Sequence, residues 1–326
     1  MKTLILTALL SLVLSVVCGF ITIPLLRKLK AGQTVLKYVQ THKEKNGTPT
    51  MGGLFFIVPS VIVTFIFVGY GTMSSVAIAI GLSFMAVGFI DDFIKVKYRK
   101  NEGLKAYQKI IFQISIALLA GFYAYYNGIT VFHIPFTSLS VDFGLWTVPL
   151  VSFVFVSITN SVNLTDGLDG LASGVSMAYL ICLTLLITMQ TIELSHLYLQ
   201  IEEYEKLKAL SIALVGGISG FLIFNVSKAR VFMGDTGSLS LGGFLGAISV
   251  FSSNSLFIPI IGIMFVASGI SVIIQVLYFK RTKKRVFLMA PLHHHFQLKG
   301  YSETQISYTY TIITFVFGLL AVSIYA

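Results

Sequence analysis

The sequence NSVNLTDGLDGLA occupies residues 160–172 and separates two long apolar segments. Its thirteen positions hold two asparagines, two aspartates and two glycines. The chain as a whole is 56% hydrophobic and only 11% charged, so a polar cluster between apolar segments marks a membrane boundary. This stretch predicts one wall of a polar site that opens on the membrane surface and handles a metal ion and phosphates.

The composition around this stretch predicts an all-α integral membrane protein. The 326 residues have a mean hydropathy of +0.87, and a soluble chain would carry about 25% charged residues. Cys18 and Cys182 lie in apolar runs, which indicates small core residues and not a disulfide framework. The first apolar run has the basic start of a secretory signal, but it is long enough to span, so we expect an uncleaved helix.

About ten apolar runs are long enough to cross roughly 30 Å of hydrocarbon. They cover residues 3–26, 52–70, 74–90, 110–126, 146–160, 171–190, 209–224, 238–253, 257–279 and 307–325. An even number of spans places both termini on one side. The segments 129–136 and 139–143, between two of these runs, alternate well enough for a short hairpin.

The lysines and arginines decide which side is which. Alternate connections carry six, six, two and six of them, which is 20 of the 23 in the chain; these connections are 27–50, 91–109, 225–236 and 280–300. Because cytoplasmic loops carry the excess of basic residues, we expect both termini outside and these connections inside. The net charge of +10 is then a topology signal, and we expect no nucleic-acid partner.

The aspartates lie on the same predicted side. Five of the six fall at span ends in the cytoplasmic connections: Asp91, Asp92, Asp166, Asp169 and Asp235. A charged side chain at the bilayer centre costs about 2.5–3.5 kcal/mol on insertion scales, and a place at a helix end avoids most of that cost. Topology alone therefore predicts an active site at the cytoplasmic face.

The first acidic motif, GFIDDFIK at 88–95, closes the third span. Neighbouring residues on a helix point about 100° apart, so Asp91 and Asp92 are expected to have different roles. Asp91, Lys95 and Arg99 follow each other at four-residue intervals on one face. An ion-paired helix end explains this motif equally well and stays open.

In the stretch at 160–172, Gly167 and Gly170 allow a tight turn beside a ligand. The spacing does not fit the EF-hand calcium loop, and helix capping explains one aspartate but hardly two with two asparagines. The third motif, FMGDTGS at 232–238, places Asp235 between glycines before a helix. A single carboxylate there suits Mg²⁺, which keeps waters and phosphate oxygens, and an N-cap is the alternative.

Two further segments offer groups to a phosphorylated ligand. MAPLHHHFQ at 289–297 holds three consecutive histidines, which cannot all face one metal from a helix, so phosphate contact or proton transfer is favoured over zinc. Surface histidines beside a lipid-binding basic patch remain the alternative. The connection KEKNGTPTMGG at 43–53 offers Lys45 and the hydroxyls of Thr48 and Thr50.

Together and in this order, five blocks resemble the phospho-N-acetylmuramoyl-pentapeptide transferase family, within the wider group of polyprenyl-phosphate sugar-1-phosphate transferases. They are GTPTMGG at 47–53, DDFIK at 91–95, NSVNLTDGLDGLA at 160–172, FMGDTGSL at 232–239 and MAPLHHHFQLKG at 289–300. PLHHHF points to the muramoyl-pentapeptide branch over the N-acetylhexosamine branch. The resemblance covers essentially the whole chain, 1–326, as a single polytopic transferase domain.

The resemblance implies a reaction, a cofactor and a location. UDP-MurNAc-pentapeptide and undecaprenyl phosphate would give lipid I and UMP with Mg²⁺, in the bacterial plasma membrane. It implies catalytic roles for five residues, with Asp235 also the magnesium ligand: Asp91, Asp92, Asp235, His293 and His294. It implies substrate-binding roles for nine: Lys45, Thr50, Asn163, Asp166, Gly167, Leu168, Asp169, Asn225 and Phe232. A monomer and a homodimer are both left open.

The sequence departs from the family pattern at three places. Gln297 stands where a glutamate usually follows the histidines, Ser268 stands where the ninth span usually carries a glutamate, and 225–228 lacks the usual proline before Ala229. None of these departures removes a candidate catalytic group. They bear on fine geometry and peptide preference, and the reaction class stands.

The chemistry of the residues agrees with the resemblance. Transfer of a phospho-sugar between a diphosphate and a lipid phosphate is mostly positioning and charge neutralisation. Asp91 is the first candidate for a general base and Asp92 the second; a covalent aspartyl intermediate is left open. A secondary transporter would place its carboxylates near the midplane in inverted repeats, which this chain does not display. An N-acetylhexosamine-1-phosphate transferase is the nearest competitor.

Overall fold

The fold, taken from a computed structural model, is described for residues 2–29, 47–98, 103–137, 139–193 and 198–325. Over these residues the chain forms twelve α-helices and one two-stranded sheet. The first six helices are α1 Lys2–Lys28, α2 Leu54–Val68, α3 Thr72–Tyr98, α4 Ala106–Tyr126, α5 Thr147–Thr165 and α6 Leu171–Glu193. The others are α7 Tyr198–Asn225, α8 Gly234–Phe251, α9 Ile258–Ile261, α10 Ile263–Thr282, α11 Leu292–Leu298 and α12 Glu303–Tyr325.

Within the described residues, eight helices are long and apolar enough to cross a membrane: α1, α3, α4, α5, α6, α7, α10 and α12. This agrees with an all-α membrane protein. Two predicted spans, 52–70 and 238–253, form helices that are not among the eight. α2 is apolar but only 15 residues long, and α8 is rich in glycine and serine.

The helix α8 lies at the centre of the half that carries the acidic motifs. All residues from Thr236 to Phe251 are buried, and α8 packs against α3 on one side and α5 on another. The Ser240 hydroxyl donates to the Gly81 carbonyl of α3 at 2.9 Å, and Phe84 stacks on Phe155 of α5. Because small residues line α8, its neighbours approach closely and hold its N-terminus beside the end of α3.

The remaining helices pack around this centre, some against sequence neighbours and some against distant helices. α1 packs against α7 and α2, α4 against α5, and α6 against α12 and α7. The strands Val131–His133 and Ser140–Asp142 pair antiparallel, with Val131 opposite Asp142, which confirms the predicted hairpin between the fourth and fifth spans.

The ninth predicted span, 257–279, is interrupted. The chain forms the four-residue helix α9, breaks at Gly262, and continues as α10. The glycine at 269 would allow this predicted span to bend there, but Gly269 lies inside the continuous helix α10. Pro259 at the start of α9 and the non-helical backbone of Gly262 place the interruption earlier.

Candidate active site

Three carboxylates meet near the end of α3, two of them adjacent in sequence and the third from far along the chain. Asp91 and Asp92 belong to the last two turns of α3, and Asp235 lies in the first turn of α8. Carboxylate oxygens from the three residues lie within 4.8 Å of one another. Their side chains are 1%, 2% and 15% exposed, respectively. Such a concentration of buried negative charge requires cationic partners.

Two lysines supply this positive charge. Lys95 Nζ lies 2.6 Å from Asp91 Oδ2 and 3.2 Å from Asp235 Oδ2. Lys109, from the first turn of α4, lies 3.1 Å from Asp91 Oδ2 and pairs closely with Asp235. The ion pair of Asp91 with Lys95, left open as the alternative for this motif, is present within α3, and Lys95 also reaches across to α8. Three carboxylates against two ammonium groups leave an excess of negative charge.

Asp92 joins the two helices that carry the cluster. Its Oδ2 accepts hydrogen bonds from the backbone N–H of Thr236 at 2.9 Å and from the Thr236 hydroxyl at 2.7 Å. That N–H is one of the free donors in the first turn of α8. Gly234, at φ +71°, brings the backbone so close that a Cβ there would meet Asp92 Oδ2 at 2.4 Å. The residue that caps α8 therefore comes from α3, and Asp235 is not the N-cap.

Asn163 fixes the other oxygen of Asp235. Its Nδ2 donates to Asp235 Oδ1 at 2.8 Å and to the Ser238 hydroxyl at 2.9 Å. Asn163 lies near the end of α5, so α3, α4 and α5 each contribute a side chain to the one carboxylate that α8 supplies. The amide orients Asp235 without neutralising it.

The turn after α5 adds a fourth carboxyl group, at the rim of this cluster. Asp166 ends α5 and is half-buried. Burial, and after it the negative charges of Asp235 and Asp92, raise the pKa of Asp166 to about 8. The raised pKa favours the protonated carboxyl, the form that can donate a hydrogen bond beside the cluster.

Asp169 and Asn225 hold two loop segments against each other. The Ala229 N–H donates to Asp169 Oδ2 at 3.0 Å, and the Gly170 N–H donates to Asn225 Oδ1 at 3.0 Å. Asn225 Nδ2 in turn donates to the Val231 carbonyl at 2.9 Å. These bonds fix the loop after α7 on the turn before α6.

A cavity of about 580 Å³ borders this junction. It lies between the starts of α6 and α12 and the loop after α7, and polar and apolar side chains share its lining. Asp169, Lys228 and Tyr308 contribute polar groups, and Met177 and Leu222 contribute apolar ones. The space suits a ligand with both an aromatic or apolar part and several hydrogen-bonding groups.

The histidines of α11 lie against the turn at 166–170. A Cβ on Gly167 would lie 2.3 Å from His293 Nε2 and 3.2 Å from His294 Nε2, so only glycine allows this approach. His293 is fully buried, and neither of its ring nitrogens has a hydrogen-bond partner in the part of the chain that is described. Burial, and next the adjacent His294, hold the pKa of His293 well below its ordinary value. The ring is neutral at pH 7.

The segment before α2 closes the site from another side. The Phe232 N–H donates to the Pro49 carbonyl at 2.8 Å, and the Gly52 N–H donates to the Phe232 carbonyl at 2.9 Å. Thr50 is buried, and its hydroxyl has no hydrogen-bond partner among the described residues. It lies beside Gly234, where a Cβ would approach its Oγ1 to 2.4 Å. Lys45 lies outside the described residues.

The structure therefore brings most of the predicted residues into one region. The three aspartates form the cluster, Asn163 and Asp166 lie beside it, and the histidines pack on Gly167. Lys109 was missed as a site residue, because the sequence shows it only as one basic residue near the start of a span. Lys95 was noted only as a partner of Asp91. The roles of all these residues stay predictions.

The donor set fits a hard divalent cation. Carboxylate oxygens are the ligands that Mg²⁺ prefers, usually one or two of them with waters and phosphate oxygens. The cluster offers three carboxylates within reach of each other and carries one negative charge more than its two lysines cancel. Asp235 is the most exposed of the three and is the natural first ligand.

A helical membrane protein with this carboxylate cluster matches a class of glycosyl transferases. Residues 73–253 match the profile of glycosyl transferase family 4, and residues 45–57 match phospho-N-acetylmuramoyl-pentapeptide-transferase signature 1. A phospho-N-acetylmuramoyl-pentapeptide-transferase of Clostridioides difficile is 43% identical over 97% of this chain and 96% of its own length. Those of a Thermoanaerobacter species and of Clostridium perfringens are 43% and 42% identical over similar shares. The chain belongs to the phospho-N-acetylmuramoyl-pentapeptide-transferase family.

Proposed function

We propose that this chain transfers phospho-MurNAc-pentapeptide from UDP-MurNAc-pentapeptide to undecaprenyl phosphate, giving lipid I and UMP in the first membrane step of peptidoglycan synthesis. An oxygen of the lipid phosphate forms a bond to the phosphorus that carries the sugar, and the bond from that phosphorus to UMP breaks. The observation that carries the proposal is the buried, net negative cluster of Asp91, Asp92 and Asp235 in a member of this family.

The same proposal includes the topology. We take α2 and α8 as spans in addition to the eight long apolar helices, which gives ten spans, both termini outside and one polytopic domain over 1–326. The shortness of α2 is offset by the turn that precedes it, and α8 is shielded from lipid by its neighbours. The basic connections, and with them the active site, then face the cytoplasm of a bacterial plasma membrane.

We propose Mg²⁺ as the cofactor, held first by Asp235 with Asp91 beside it. A bound magnesium ion would neutralise charge on the diphosphate and on the leaving UMP. Asn163 would keep Asp235 oriented, since it holds Oδ1 and leaves Oδ2 to cations. Lys95 and Lys109 already occupy that oxygen, so they would be released toward the phosphates when the ion binds. Both lysines would then act as phosphate ligands.

Asp91 is the better candidate for the group that accepts the proton of the lipid phosphate. Asp92 Oδ2 is committed to two hydrogen bonds from Thr236, and this commitment supports a structural task for Asp92. Asp91 Oδ1 accepts the Leu104 N–H at 2.7 Å, while Oδ2 faces the two lysines. A direct attack by the lipid phosphate and a covalent aspartyl intermediate both remain compatible with this arrangement.

The nucleotide and the sugar would lie along the walls around the cluster. We assign the nucleoside side to Gly167, Leu168, Asp169, Asn225 and Phe232, together with Lys45. The cavity beside Asp169 supports this assignment, because it adjoins the hydrogen bonds that fix Asn225. Thr50 and Asp166 would face the phosphates, and His293 and His294 the phosphate or the peptide-bearing sugar. The buried ring of His293, whose nitrogens have no hydrogen-bond partner among the described residues, supports a neutral hydrogen-bonding group there.

The decisive experiment measures UMP release from detergent-solubilised protein with Mg²⁺ and undecaprenyl phosphate. UDP-MurNAc-pentapeptide and UDP-N-acetylglucosamine are supplied in parallel. We expect UMP only from the first donor, and none when EDTA replaces Mg²⁺. Release from UDP-N-acetylglucosamine alone would assign the chain to the N-acetylhexosamine branch. Binding of substrates without UMP release from either donor would argue against a transferase.

A further inference from the structure

Two amide side chains face each other between α4 and α5, one turn deeper in the bundle than the carboxylate cluster. Asn160 Nδ2 donates to Gln113 Oε1 at 2.7 Å, and Gln113 Nε2 donates back to Asn160 Oδ1 at 3.5 Å. Gln113 is fully buried. Asn160 also donates to the Val156 carbonyl of its own helix at 2.7 Å. The two amides therefore form a reciprocal pair inside an otherwise apolar helix contact.

The pair lies about one helical turn from two residues that contact Asp235. On α4, Gln113 follows Lys109 by four residues, or about 6 Å along the helix. On α5, Asn160 precedes Asn163 by three residues, or about 4.5 Å. Lys109 pairs with Asp235 Oδ2, and Asn163 donates to its Oδ1. Each helix thus presents one amide to the other helix and one polar group to the same carboxylate.

We propose that Gln113 and Asn160 are positioning residues, which fix the height of α4 against α5 so that Lys109 and Asn163 hold Asp235 from both sides. The kinetic test of this inference rests on the proposed function. The metal-binding test does not rest on it. Neither amide touches the carboxylates in this arrangement; both act through the helices that carry them.

The physical reason lies in the direction of the bonds. Apolar contacts between helices tolerate sliding, because one methyl group packs about as well as its neighbour. A reciprocal amide pair satisfies both partners only at one relative height, and an unpaired amide in a span is unfavourable. Displacement of a reacting or binding group by about 1 Å can cost on the order of 100-fold in rate. A register lock this close to Asp235 therefore has a direct effect on the site.

The chain contains a matched control pair. Gln190 of α6 and Asn254, just after α8, form the same reciprocal arrangement, with Nε2 to Oδ1 at 3.1 Å and Nδ2 to Oε1 at 2.9 Å. Both residues are buried. This second pair lies at the opposite end of α8 from Asp235. It has the same reciprocal geometry, and it is remote from the cluster.

The experiment compares Gln113→Met with Gln190→Met in the full-length protein. Methionine keeps the unbranched shape and removes the amide. Mn²⁺ serves as the probe, and its affinity is measured by electron paramagnetic resonance; melting temperature is recorded in parallel. Where wild-type protein releases UMP, kcat and KM for the nucleotide-sugar are measured too. The double variant Gln113→Asn with Asn160→Gln exchanges the two side chains and restores a reciprocal pair.

We expect both single variants to lose similar thermal stability. Only Gln113→Met should bind Mn²⁺ more weakly, by about 10- to 100-fold, with kcat reduced by a similar factor and KM within about twofold. The exchanged pair should recover most of both losses. Equal Mn²⁺ affinity in wild type and in Gln113→Met would overturn the proposal.

The remaining outcomes also support or refute the positioning role. If Gln113→Met does not fold, the exchanged pair carries the test, and Mn²⁺ binding about tenfold weaker than wild type in a folded exchanged protein would refute positioning. If wild-type protein binds Mn²⁺ but releases no UMP from any donor, the proposed function fails while the positioning role stands on its Mn²⁺ data. Weaker Mn²⁺ binding in Gln190→Met to the same extent would show a general loss of packing and would refute the specific role.

Discussion

The two ends of α3 use the same residue types in opposite ways. At its N-terminus, Glu203 of α7 accepts the backbone N–H groups of Thr72 and Met73 at 2.9 and 2.8 Å. Nearby on α7, Lys206 pairs with Glu202 and Lys208 pairs with Glu205, at 2.7 and 2.6 Å. The glutamates of both pairs are 50% exposed, and each cation has one carboxylate.

At the C-terminus of α3 the carboxylates are buried and share their lysines. Three buried carboxylates share Lys95 and Lys109, and Asp235 contacts both lysines. Ion pairs with an exposed partner contribute about 0.2–1 kcal/mol each, whereas breaking a buried pair costs about 3–5 kcal/mol because a charge is left uncompensated. Both ends bring three carboxylates and two lysines together, but each lysine has one carboxylate at the N-terminus of α3, whereas at the C-terminus the lysines are shared, and a shared lysine can be exchanged for another cation.

The pKa values of two aspartates show the same contrast. Hydrogen bonds from the Gly144 N–H and from Thr130 lower the pKa of the exposed Asp142, in the second strand of the hairpin. Burial and negative neighbours raise the pKa of Asp166, beside the cluster, to about 8. Local donors satisfy the first carboxylate, and the second lies where negative charge is already in excess. Function is expected where the charges do not balance.

The largest difference between the two ends of α3 is expected when the least buried carboxylate of the cluster is removed. Asp235→Asn should reduce UMP release by about 10³-fold or more, because the amide keeps the shape but cannot hold the cation. Glu202→Gln, at the other end of α3, should leave the rate within about twofold. Kinetic assays with far-ultraviolet circular dichroism measure both effects. Near wild-type turnover in a folded Asp235→Asn protein would remove Asp235 as the metal ligand.

A smaller effect is expected from the lysines. Lys109→Met should lower kcat by about 10- to 100-fold, since Asp91 and Asp235 lose a shared cation and the phosphates lose a ligand. The matched change Lys206→Met removes one exposed pair and should alter kcat by less than twofold. Steady-state kinetics at saturating Mg²⁺ give both values. Equal effects of the two changes would mean that the closed and the shared pairs do not differ in function.

The smallest effect concerns pH. Folded Asp166 keeps a proton up to about pH 8, whereas an unfolded aspartate loses it near pH 3.9. The unfolding free energy contributed by this group therefore falls as pH rises through that window. Asp166→Asn removes the dependence, so its melting temperature relative to wild type should be higher at pH 8.5 than at pH 5.

Asp142→Asn is the control for this measurement. The lowered pKa of Asp142 makes its contribution fully present above about pH 4 and lost below it. Its melting difference from wild type should therefore be negative and the same at pH 5 and pH 8.5. A flat difference for Asp166→Asn over this range would show that Asp166 is ionised in the folded protein, and the excess of negative charge would then extend to the rim.

Sequence reasoning predicted the membrane class, the hairpin and the aspartate motifs, because these depend on local features. An apolar run of sufficient length spans, whatever surrounds it, and lysines and arginines in alternate connections assign one side to all of them. That reasoning put five aspartates on a single face, and the structure brings Asp91, Asp92 and Asp235 together there. The i, i+4 spacing likewise predicted the Asp91–Lys95 pair.

Tertiary structure alone decided which groups share a partner. Lys109 pairs with Asp235 from 126 residues away, and Asp92 caps a helix 144 residues away. Neither separation corresponds to a helix or strand repeat, so no sequence pattern indicates these contacts. The ninth span is interrupted at Gly262 and not around Gly269. The position of a kink depends on prolines and on the packing of neighbouring helices. Sequence predicts which segments span the membrane, since this follows from the transfer energies of single segments. The balance of charge in the site follows from which helices pack together.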